Sequence, residues 1–248
     1  MPIERVQSGI YGLDELIMGG FPRGRTVLIS GACGTGKSIL CSQYLYQGAA
    51  EHDEPGVFVA FDERPDEIRS DMANFGWDME ALEKKGKLAI VDVTSAKAGV
   101  PSEEDHAILP GQLDIDKILV DTISVARNIG AKRMVFDSIP SMAFRMDTVH
   151  EIRKGILKLA YISAKAGLTT LITTEAEESP SGLPIKFSRY EVEEYVADGV
   201  IVLGLFGGGQ NAFRTLHVRK MRGTKHALEL HPMEIGDKGI MVKKVGGM

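Results

Sequence analysis

The sequence predicts a single α/β domain, residues 1 to 248, with a mostly parallel sheet flanked by helices. Two features of the pattern favour this fold. Apolar strand-like runs alternate with helix-like runs from residue 26 to residue 173, which is typical of a parallel sheet with helices on both faces. Beyond residue 198, strand-like runs follow one another without helices, and we expect them to extend one edge of the sheet in antiparallel fashion. A chain of 248 residues, 44% of them hydrophobic, is long enough to bury one large core.

The predicted elements of the alternating part can be placed along the chain. The strands are 26–29, 56–61, 87–93, 133–136 and 168–173, and the helices are 39–48, 66–75, 115–129 and 149–166. The helix at 115–129 is indicated by apolar side chains at helical spacing, and the helix at 66–75 by Pro65 and Asp66 at its start. Residues 94–112, which hold two prolines and a cluster of charges, are expected to form a polar, mobile loop. The C-terminal strands are expected at 198–206, 213–220, 227–235 and 239–244.

A glycine-rich turn between the first strand and the first helix has the spacing of a phosphate-binding loop. It reads Gly31-x-x-x-x-Gly36-Lys37-Ser38. Its glycines, including Gly34, let successive backbone N–H groups converge on phosphate oxygens, and the helix N-terminus adds its positive dipole end. We expect Lys37 to reach the β- and γ-phosphates and the Ser38 hydroxyl to ligate Mg²⁺. The chain is therefore predicted to bind a nucleoside triphosphate.

Two other strands end in acids. The strand at 133–136 leads into Asp137, as in a Walker B element that holds Mg²⁺ directly or through water. The strand at 56–61 leads into Asp62 and Glu63, at the sheet edge where ligands of open α/β sheets collect. One of these two carboxylates is expected to polarise the water that attacks the γ-phosphate, and Glu63 is preferred for its longer reach. The alternative is that they cap the next helix. The predicted Mg²⁺ shell is Ser38, Asp137 and Glu63.

A basic run stands out near the C-terminus of an otherwise acidic chain. Residues 219–226 read Arg-Lys-Met-Arg-Gly-Thr-Lys-His, with five basic residues of eight if the histidine is counted. Such a run can be a solvated strand end or a nucleic-acid contact. Because it lies far from the phosphate loop along the chain, a third interpretation is a contact with the nucleotide of a neighbouring subunit, as in ring-forming ATPases.

Composition excludes several classes of protein. A net charge of −5 weighs against a constitutive nucleic-acid binder. No apolar stretch approaches the roughly 20 residues that cross a bilayer, and the first residues lack the regions of a signal peptide. The two cysteines, Cys33 and Cys41, have no nearby histidines at metal spacing, so no zinc site is predicted. A disulfide between them is not expected, since Cys33 sits where the nucleotide should lie. We expect a cytoplasmic protein without membrane contact.

These motifs and several shorter ones resemble the KaiC-type branch of the RecA-like ATPases almost from end to end. The segments that carry the resemblance are 8–16, 19–24, 63–65, 75–77, 137–138, 173–175, 194–199, 220–226 and 232–239. The resemblance implies a RecA-like P-loop NTPase core that assembles into a hexameric ring, with ATP and Mg²⁺ at the subunit boundaries. It also implies hydrolysis of ATP to ADP and phosphate in a regulatory or signalling role, with a protein partner that the sequence does not name.

The resemblance also assigns residues to the site. The nucleotide-binding residues of one subunit would be Gly31, Ala32, Cys33, Gly34, Thr35, Gly36, Lys37, Ser38 and Ile39, with Asn74 and Phe75 near the base or ribose and Asp137 near the metal. Those reaching the neighbour's nucleotide would be Lys220, Met221, Arg222, Thr224, His226 and Asp237, with Lys220 and Arg222 acting on the γ-phosphate. The catalytic set would be Glu63, Asp62, Lys37, Arg222 and Lys220. The family's paired acids are two glutamates, so Asp62 is a departure whereas Glu63 is retained. The cyanobacterial clock members carry two such domains and a phosphorylated Ser/Thr pair, so timekeeping is not expected here.

Two alternative functions use the same nucleotide site. An autokinase would transfer phosphate to a hydroxyl near the subunit boundary, for which the Ser179-Pro180-Ser181 loop is a candidate. A recombinase-like module would bind DNA through loops at about 140–150 and 176–192, where Phe187 and Tyr190 could stack on bases. The second of these loops holds more acidic than basic residues, which disfavours DNA.

Overall fold

A nine-stranded sheet forms the centre of the molecule. The structure, a computed structural model, describes residues 3–143, 146–178, 184–207 and 212–244. Its strands are β1 (Arg5–Val6), β2 (Phe21–Pro22), β3 (Thr26–Gly31), β4 (Gly56–Ala60), β5 (Leu88–Asp92), β6 (Arg133–Asp137), β7 (Thr169–Glu175), β8 (Glu177–Glu178), β9 (Pro184–Lys186), β10 (Gly199–Phe206), β11 (Phe213–Met221), β12 (Leu230–Gly236) and β13 (Gly239–Val242). Its helices are α1 (Leu13–Leu16), α2 (Lys37–Glu51), α3 (Pro65–Ala73), α4 (Met79–Lys84), α5 (Thr94–Ala98), α6 (Ile115–Asn128), α7 (Ile139–Met142), α8 (Val149–Lys165) and α9 (Glu193–Val196).

The sheet is mostly parallel, as the alternating pattern predicts. Its order is β13-β12-β11-β10-β3-β7-β6-β4-β5, with every pair from β10 to β5 parallel and β11 to β13 antiparallel. The expectation that all the C-terminal strands run antiparallel is wrong for β10. After β7 the chain returns to the end of the sheet at which the parallel strands begin. There the backbone N–H of Asp198 donates to the carbonyl of Thr26, so that β10 starts level with β3 and runs parallel to it.

Apolar helix faces cover both sides of the sheet. Leu40 and Tyr44 of α2 belong to one buried cluster, together with residues of α3 and α4, whereas Leu119 of α6 and Leu159 of α8 belong to the other. All four side chains are fully buried. Since burial of one such side chain contributes about 1.5–3 kcal/mol, the two clusters hold the strands in place and fix where their ends meet.

The segment after β5 departs from the sequence prediction. Residues 94–98 form helix α5 rather than loop. The reason is the buried carboxylate of Asp92, which accepts hydrogen bonds from the hydroxyls of Thr94 (2.6 Å), Ser95 (2.5 Å) and Ser102 (2.6 Å). These bonds start the helix and tie the following loop to the end of β5. Within the described ranges, no helix has the length and apolar character needed to span a membrane.

Candidate nucleotide-binding site

A cavity of about 580 Å³ opens at the edge of the sheet where the parallel strands end. It is lined by Cys33, Gly34, Gly36, Lys37, Ser38, Ile39, Asp62, Glu63, Asp71, Met72, Asn74, Phe75, Asp137, Ser138, Glu175, Arg214 and Ile235. The structure therefore brings together the glycine-rich turn, both acids after β4, the acid after β6 and the expected base-side residues. These residues come from widely separated parts of the chain, and the strand order of the sheet gathers them where the parallel strands end.

The turn between β3 and α2 requires its glycines. Gly36 has a φ of 104°, in the left-handed region that favours glycine. A Cβ atom at Gly31 would lie 2.6 Å from Oγ1 of Thr35 and 2.7 Å from the carbonyl oxygen of Leu203. The ammonium of Lys37 donates to the carbonyls of Gly31 (2.9 Å) and Ala32 (3.0 Å), so it lies across the loop. The loop thus presents backbone N–H groups, a lysine and the start of α2 to the cavity, which suits phosphate oxygens.

Ser38 and Asp137 meet beneath the loop. The Asp137 carboxylate accepts hydrogen bonds from the hydroxyls of Ser38 and Thr173. Burial raises the pKa of Asp137, and these two hydrogen bonds oppose that rise. A hydroxyl and a carboxylate are oxygen donors of the kind Mg²⁺ takes when waters and substrate phosphates supply its remaining ligands. The donor set therefore fits Mg²⁺ bound together with a nucleotide.

The two neighbouring acids after β4 differ in their surroundings. The carboxylate of Asp62 accepts from Ser138 Oγ (2.7 Å), from Ser141 Oγ and from Lys97 Nζ (3.2 Å). That of Glu63 accepts no hydrogen bond from any residue that the structure describes. Burial raises the pKa of Glu63, and the nearby charges of Asp137 and other acids raise it further. An unbonded carboxylate with a raised pKa is suited to accept a proton, whereas Asp62 is held in place.

Phe75 lines the side of the cavity where the base is expected, and other aromatic side chains pack behind it. The ring of Phe75 lies 4.9 Å from that of Trp77, centroid to centroid, and Trp77 stacks on Tyr46 at 5.8 Å. Asn74 is exposed next to this group. Phe75 and Asn74 thus line the cavity as the resemblance implies, and their contact with a nucleotide base stays a prediction.

The cation pair Lys220 and Arg222 is directed toward the end of the sheet at which the parallel strands begin, away from the cavity. The N–H of Arg222 donates to the carbonyl of Asp198, which is level with Thr26 at the start of β3. Gly31 lies five positions further along that strand, roughly 17 Å away. The side chain of Arg222 is 54% exposed and reaches Asp198 Oδ1 at 3.3 Å. Lys220 is in register with Val200 and Leu28, and its ammonium donates to the carbonyl of Ala197, just before β10. Neither cation lines the cavity of its own chain.

The remaining residues of the predicted neighbour-facing set are divided. Met221 has a buried side chain, Thr224 Oγ1 accepts from Arg5 Nη1 (2.7 Å), and His226 Nδ1 lies 2.9 Å from the carbonyl of Ala227. Asp237, by contrast, is exposed in the turn between β12 and β13, at the same edge as the cavity. Within one chain, Asp237 thus lies apart from the cation pair. The role of each residue toward a nucleotide stays a prediction.

Sequence reasoning did not assign six of the residues that line the cavity, namely Asp71, Met72, Ser138, Glu175, Arg214 and Ile235. Arg214 on β11 donates from Nε and Nη2 to the carbonyl of Gly34, both at 3.3 Å, although the residues are 180 positions apart. Glu175, at the end of β7, pairs in register with Gly31. The position of Arg214 depends on the pairing of β11 with β10, which no local motif indicates. Glu175 could have been found, because it follows a predicted strand of the parallel sheet.

Comparison with known proteins gives consistent results. A family model described as "ATPase: KaiC" matches residues 6–246. A crystal structure of a KaiC-like protein from the archaeon Pyrococcus horikoshii superposes with a TM-score of 0.83 at 44% identity, covering 98% of this chain and all of that one. A UPF0273 protein of Aeropyrum pernix is 37% identical over 241 residues, which are 97% of this chain and 94% of the relative. The circadian clock oscillator protein KaiC of Synechococcus elongatus is 36% identical over 99% of this chain, but the match covers 45% of its own length.

The chain thus spans about half the length of the KaiC clock protein that it matches, and nearly the whole length of the archaeal relative. The resemblance of the motifs and the RecA-like α/β fold are both confirmed. This chain belongs to the KaiC family of ATPases.

Proposed function

We propose that this protein hydrolyses ATP at sites formed jointly by two copies of the chain. One observation carries the proposal: the phosphate loop and Glu63 lie at one edge of the sheet, and the cation pair Lys220 and Arg222 lies at the other. Among described residues that line the cavity, the cations are Lys37 and Arg214. A cation pair too distant to serve its own cavity can serve the cavity of a neighbour.

The first copy would bind ATP and activate the attacking water. Its loop N–H groups and Lys37 would hold the β- and γ-phosphates, and Ser38 and Asp137 would hold Mg²⁺, which offsets charge on the phosphate oxygens when bound. Glu63 would accept a proton from the attacking water. The water oxygen forms a bond to the γ-phosphorus in line with the breaking bond to the bridging oxygen, and ADP leaves with the electron pair.

The second copy would supply Lys220 and Arg222 to the charge that develops on the γ-phosphate. Because this contact joins different surfaces of the two copies, it is head-to-tail, and its repetition gives a ring when the rotation between neighbours closes. We propose six subunits, a regulatory role toward an unnamed protein partner and a cytoplasmic location on the strength of the family resemblance. A head-to-tail ring would contain as many identical sites as subunits.

The two alternatives have less support. For an autokinase, Ser179, Pro180 and Ser181 lie outside the described residues. For DNA binding, part of the second loop also lies outside them, and the described Lys186 is paired with Glu191 at 2.6 Å. We propose water as the acceptor of the γ-phosphoryl group, since the unbonded carboxylate of Glu63 lines the cavity and can take its proton.

Mixed assemblies test the joint site. Lys220→Ala and Glu63→Gln should each lower turnover by about 10²-fold or more when assembled alone. In assemblies co-purified through two different tags, a Lys220→Ala cavity can meet the intact cation pair of a Glu63→Gln neighbour. With even mixing, about a quarter of the interfaces should then be fully functional. Turnover that does not rise above that of the single variants would contradict the proposal.

A further inference from the structure

We propose that Glu193 is a positioning residue that holds Lys220 in place for the nucleotide of the next subunit. The inference rests on the proposed function, because it assigns to one buried carboxylate the support of a cation that acts across a subunit boundary. The structural unit concerned is the segment 187–198, which includes α9 and links β9 to β10.

Glu193 is fully buried, at 0% exposure. Its Oε1 accepts from Thr174 Oγ1 (3.0 Å), and its Oε2 accepts from the backbone N–H of Val192 (3.1 Å). Both oxygens lie 3.3 Å from the backbone nitrogen of Tyr190. A carboxylate is costly to bury and persists where hydrogen bonds satisfy it. Glu193 joins the start of α9 to the end of β7 through hydrogen bonds. An apolar side chain of the same size could fill the space but could not make these directional bonds.

Carbonyl groups of α9 and of the residue that follows it hold the ammonium of Lys220. Lys220 Nζ donates to the carbonyls of Glu194 (2.9 Å) and Ala197 (2.6 Å). An ammonium has three N–H donors, so two fixed acceptors determine the direction of the third. Arg222 Nη2 also lies 3.4 Å from the carbonyl of Tyr195. Both members of the cation pair therefore rest on carbonyl oxygens of the short segment that Glu193 anchors.

The anchor itself lies beside the nucleotide cavity of its own chain. Thr174 precedes Glu175, which lines the cavity, and Thr174 Oγ1 also accepts from the N–H of Arg189 at 3.3 Å. Nearby, Ser30 of β3 donates to the carbonyl of Phe187. The segment 187–198 thus runs from the edge that holds the phosphate loop to the edge that holds the cation pair. Loss of the Glu193 anchor should displace α9, and a displacement of about 1 Å at a charge-stabilising group can cost about 10²-fold in rate.

The first test uses two independent ways to break the anchor. Glu193→Gln keeps the size of the side chain but turns an NH₂ group toward backbone donors. Thr174→Val removes the hydroxyl that donates to Glu193, and Thr174→Ser is its matched control because it keeps that hydroxyl. For Glu193→Gln and Thr174→Val we expect turnover to fall by about 10²-fold, while direct ATP binding changes by less than about threefold. Thr174→Ser should keep most of the wild-type turnover. Wild-type turnover in both anchor-breaking variants would overturn the inference.

The second test separates a positioning role from damage to the cavity. Glu193→Gln is co-assembled with Glu63→Gln, beside the Lys220→Ala and Glu63→Gln mixture described above. If Glu193 acts through Lys220, the Glu193→Gln cavity is intact and is served by the cation pair of a Glu63→Gln neighbour, so turnover recovers in both mixtures. Recovery in the Lys220→Ala mixture alone would show that Glu193 serves its own cavity, which overturns the inference and leaves the joint site standing. Recovery in neither would reject the joint site itself.

Discussion

Ser138 and Asp62 are 76 positions apart in the chain and are joined by a hydrogen bond of 2.7 Å from the serine hydroxyl to Oδ2 of the aspartate. The bond connects the ends of β6 and β4 beside the nucleotide cavity. Lys97 and Ser141 bind the other oxygen of Asp62. An aspartate is short enough to make these contacts and leave its longer neighbour Glu63 unbonded. This division leaves Glu63 available for the role of base that we propose, although the chain has Asp62 where the family resemblance implies a second glutamate.

The Ser138–Asp62 bond should contribute to stability. Ser138→Ala leaves one oxygen of Asp62 without its donor, and we expect the free energy of unfolding to fall by about 1–2 kcal/mol. Urea denaturation measures this. Ser70→Ala, on the exposed face of α3, is the control and should change stability by less than about 0.5 kcal/mol. Equal stability of the two variants would show that the bond carries no net energy.

Glu63 and Asp62 should respond differently to loss of charge. Glu63→Gln removes the proposed proton acceptor, so turnover should fall by about 10²- to 10⁴-fold while ATP still binds. Glu103→Gln, an exposed glutamate in the loop after α5, should hydrolyse ATP at the wild-type rate. Steady-state turnover and direct nucleotide binding are the measurements. If Asp62→Asn abolishes turnover and Glu63→Gln does not, the two roles are reversed.

The ion pair between Glu54 and the buried Arg133 lies at the start of β6, remote from the cavity. It makes the free energy of unfolding depend on pH. Burial raises the pKa of Glu54, but hydrogen bonds from Arg133 and Arg23 outweigh it, so the pKa lies below its ordinary value of 4.5. A lowered folded-state pKa gives stability that is fully present above 4.5 and is lost as the pH falls through the folded-state pKa. We therefore expect the free energy of unfolding to decrease with acidification in that range.

Glu54→Gln should remove that part of the pH dependence. It should also cost about 3–5 kcal/mol at neutral pH, because Arg133 is fully buried and would lose its counter-charge. Glu51→Gln, three positions earlier and exposed, is the matched control and should retain the wild-type pH profile. Urea unfolding at several pH values distinguishes them. A Glu54→Gln profile as steep as the wild type would refute the assignment.

Phe75 should affect nucleotide binding more than chemistry. If its ring supports the base, Phe75→Ala loses a stacking contact of about 1–3 kcal/mol, so KM for ATP should rise by about tenfold with little change in kcat. Phe75→Tyr keeps the ring and should bind like the wild type. A Phe75→Ala variant with unchanged KM would place the base elsewhere in the cavity.

Most of the fold follows from local patterns in the sequence. The five strands of the alternating part and the four long helices lie within a few residues of their predicted positions. The strands are short apolar runs that are buried almost throughout, and the helices carry buried apolar residues between recognisable starts and ends. The helices missed, such as α7 and α9, are too short for periodicity to indicate them. α4 is different: Asp78 accepts from the N–H of Ala81 and caps it, a signal that was present in the sequence.

The site was predicted where it depends on motifs and missed where it depends on strand pairing. Lys37, Ser38, Asp62, Glu63 and Asp137 all line the cavity, since each directly follows a predicted strand or begins the helix after it. The position of Arg214 in the cavity follows from the register of β11, which is set by tertiary packing and not by neighbours in sequence.

The most direct measurement of the joint site is a structure of the Glu63→Gln variant with Mg²⁺ and ATP bound, under conditions in which the protein is assembled. We predict that the cations beside the γ-phosphate will be Lys37 of one subunit together with Lys220 and Arg222 of the next. A γ-phosphate contacted by the residues of a single chain, with Lys220 and Arg222 turned away from every nucleotide, would contradict the account.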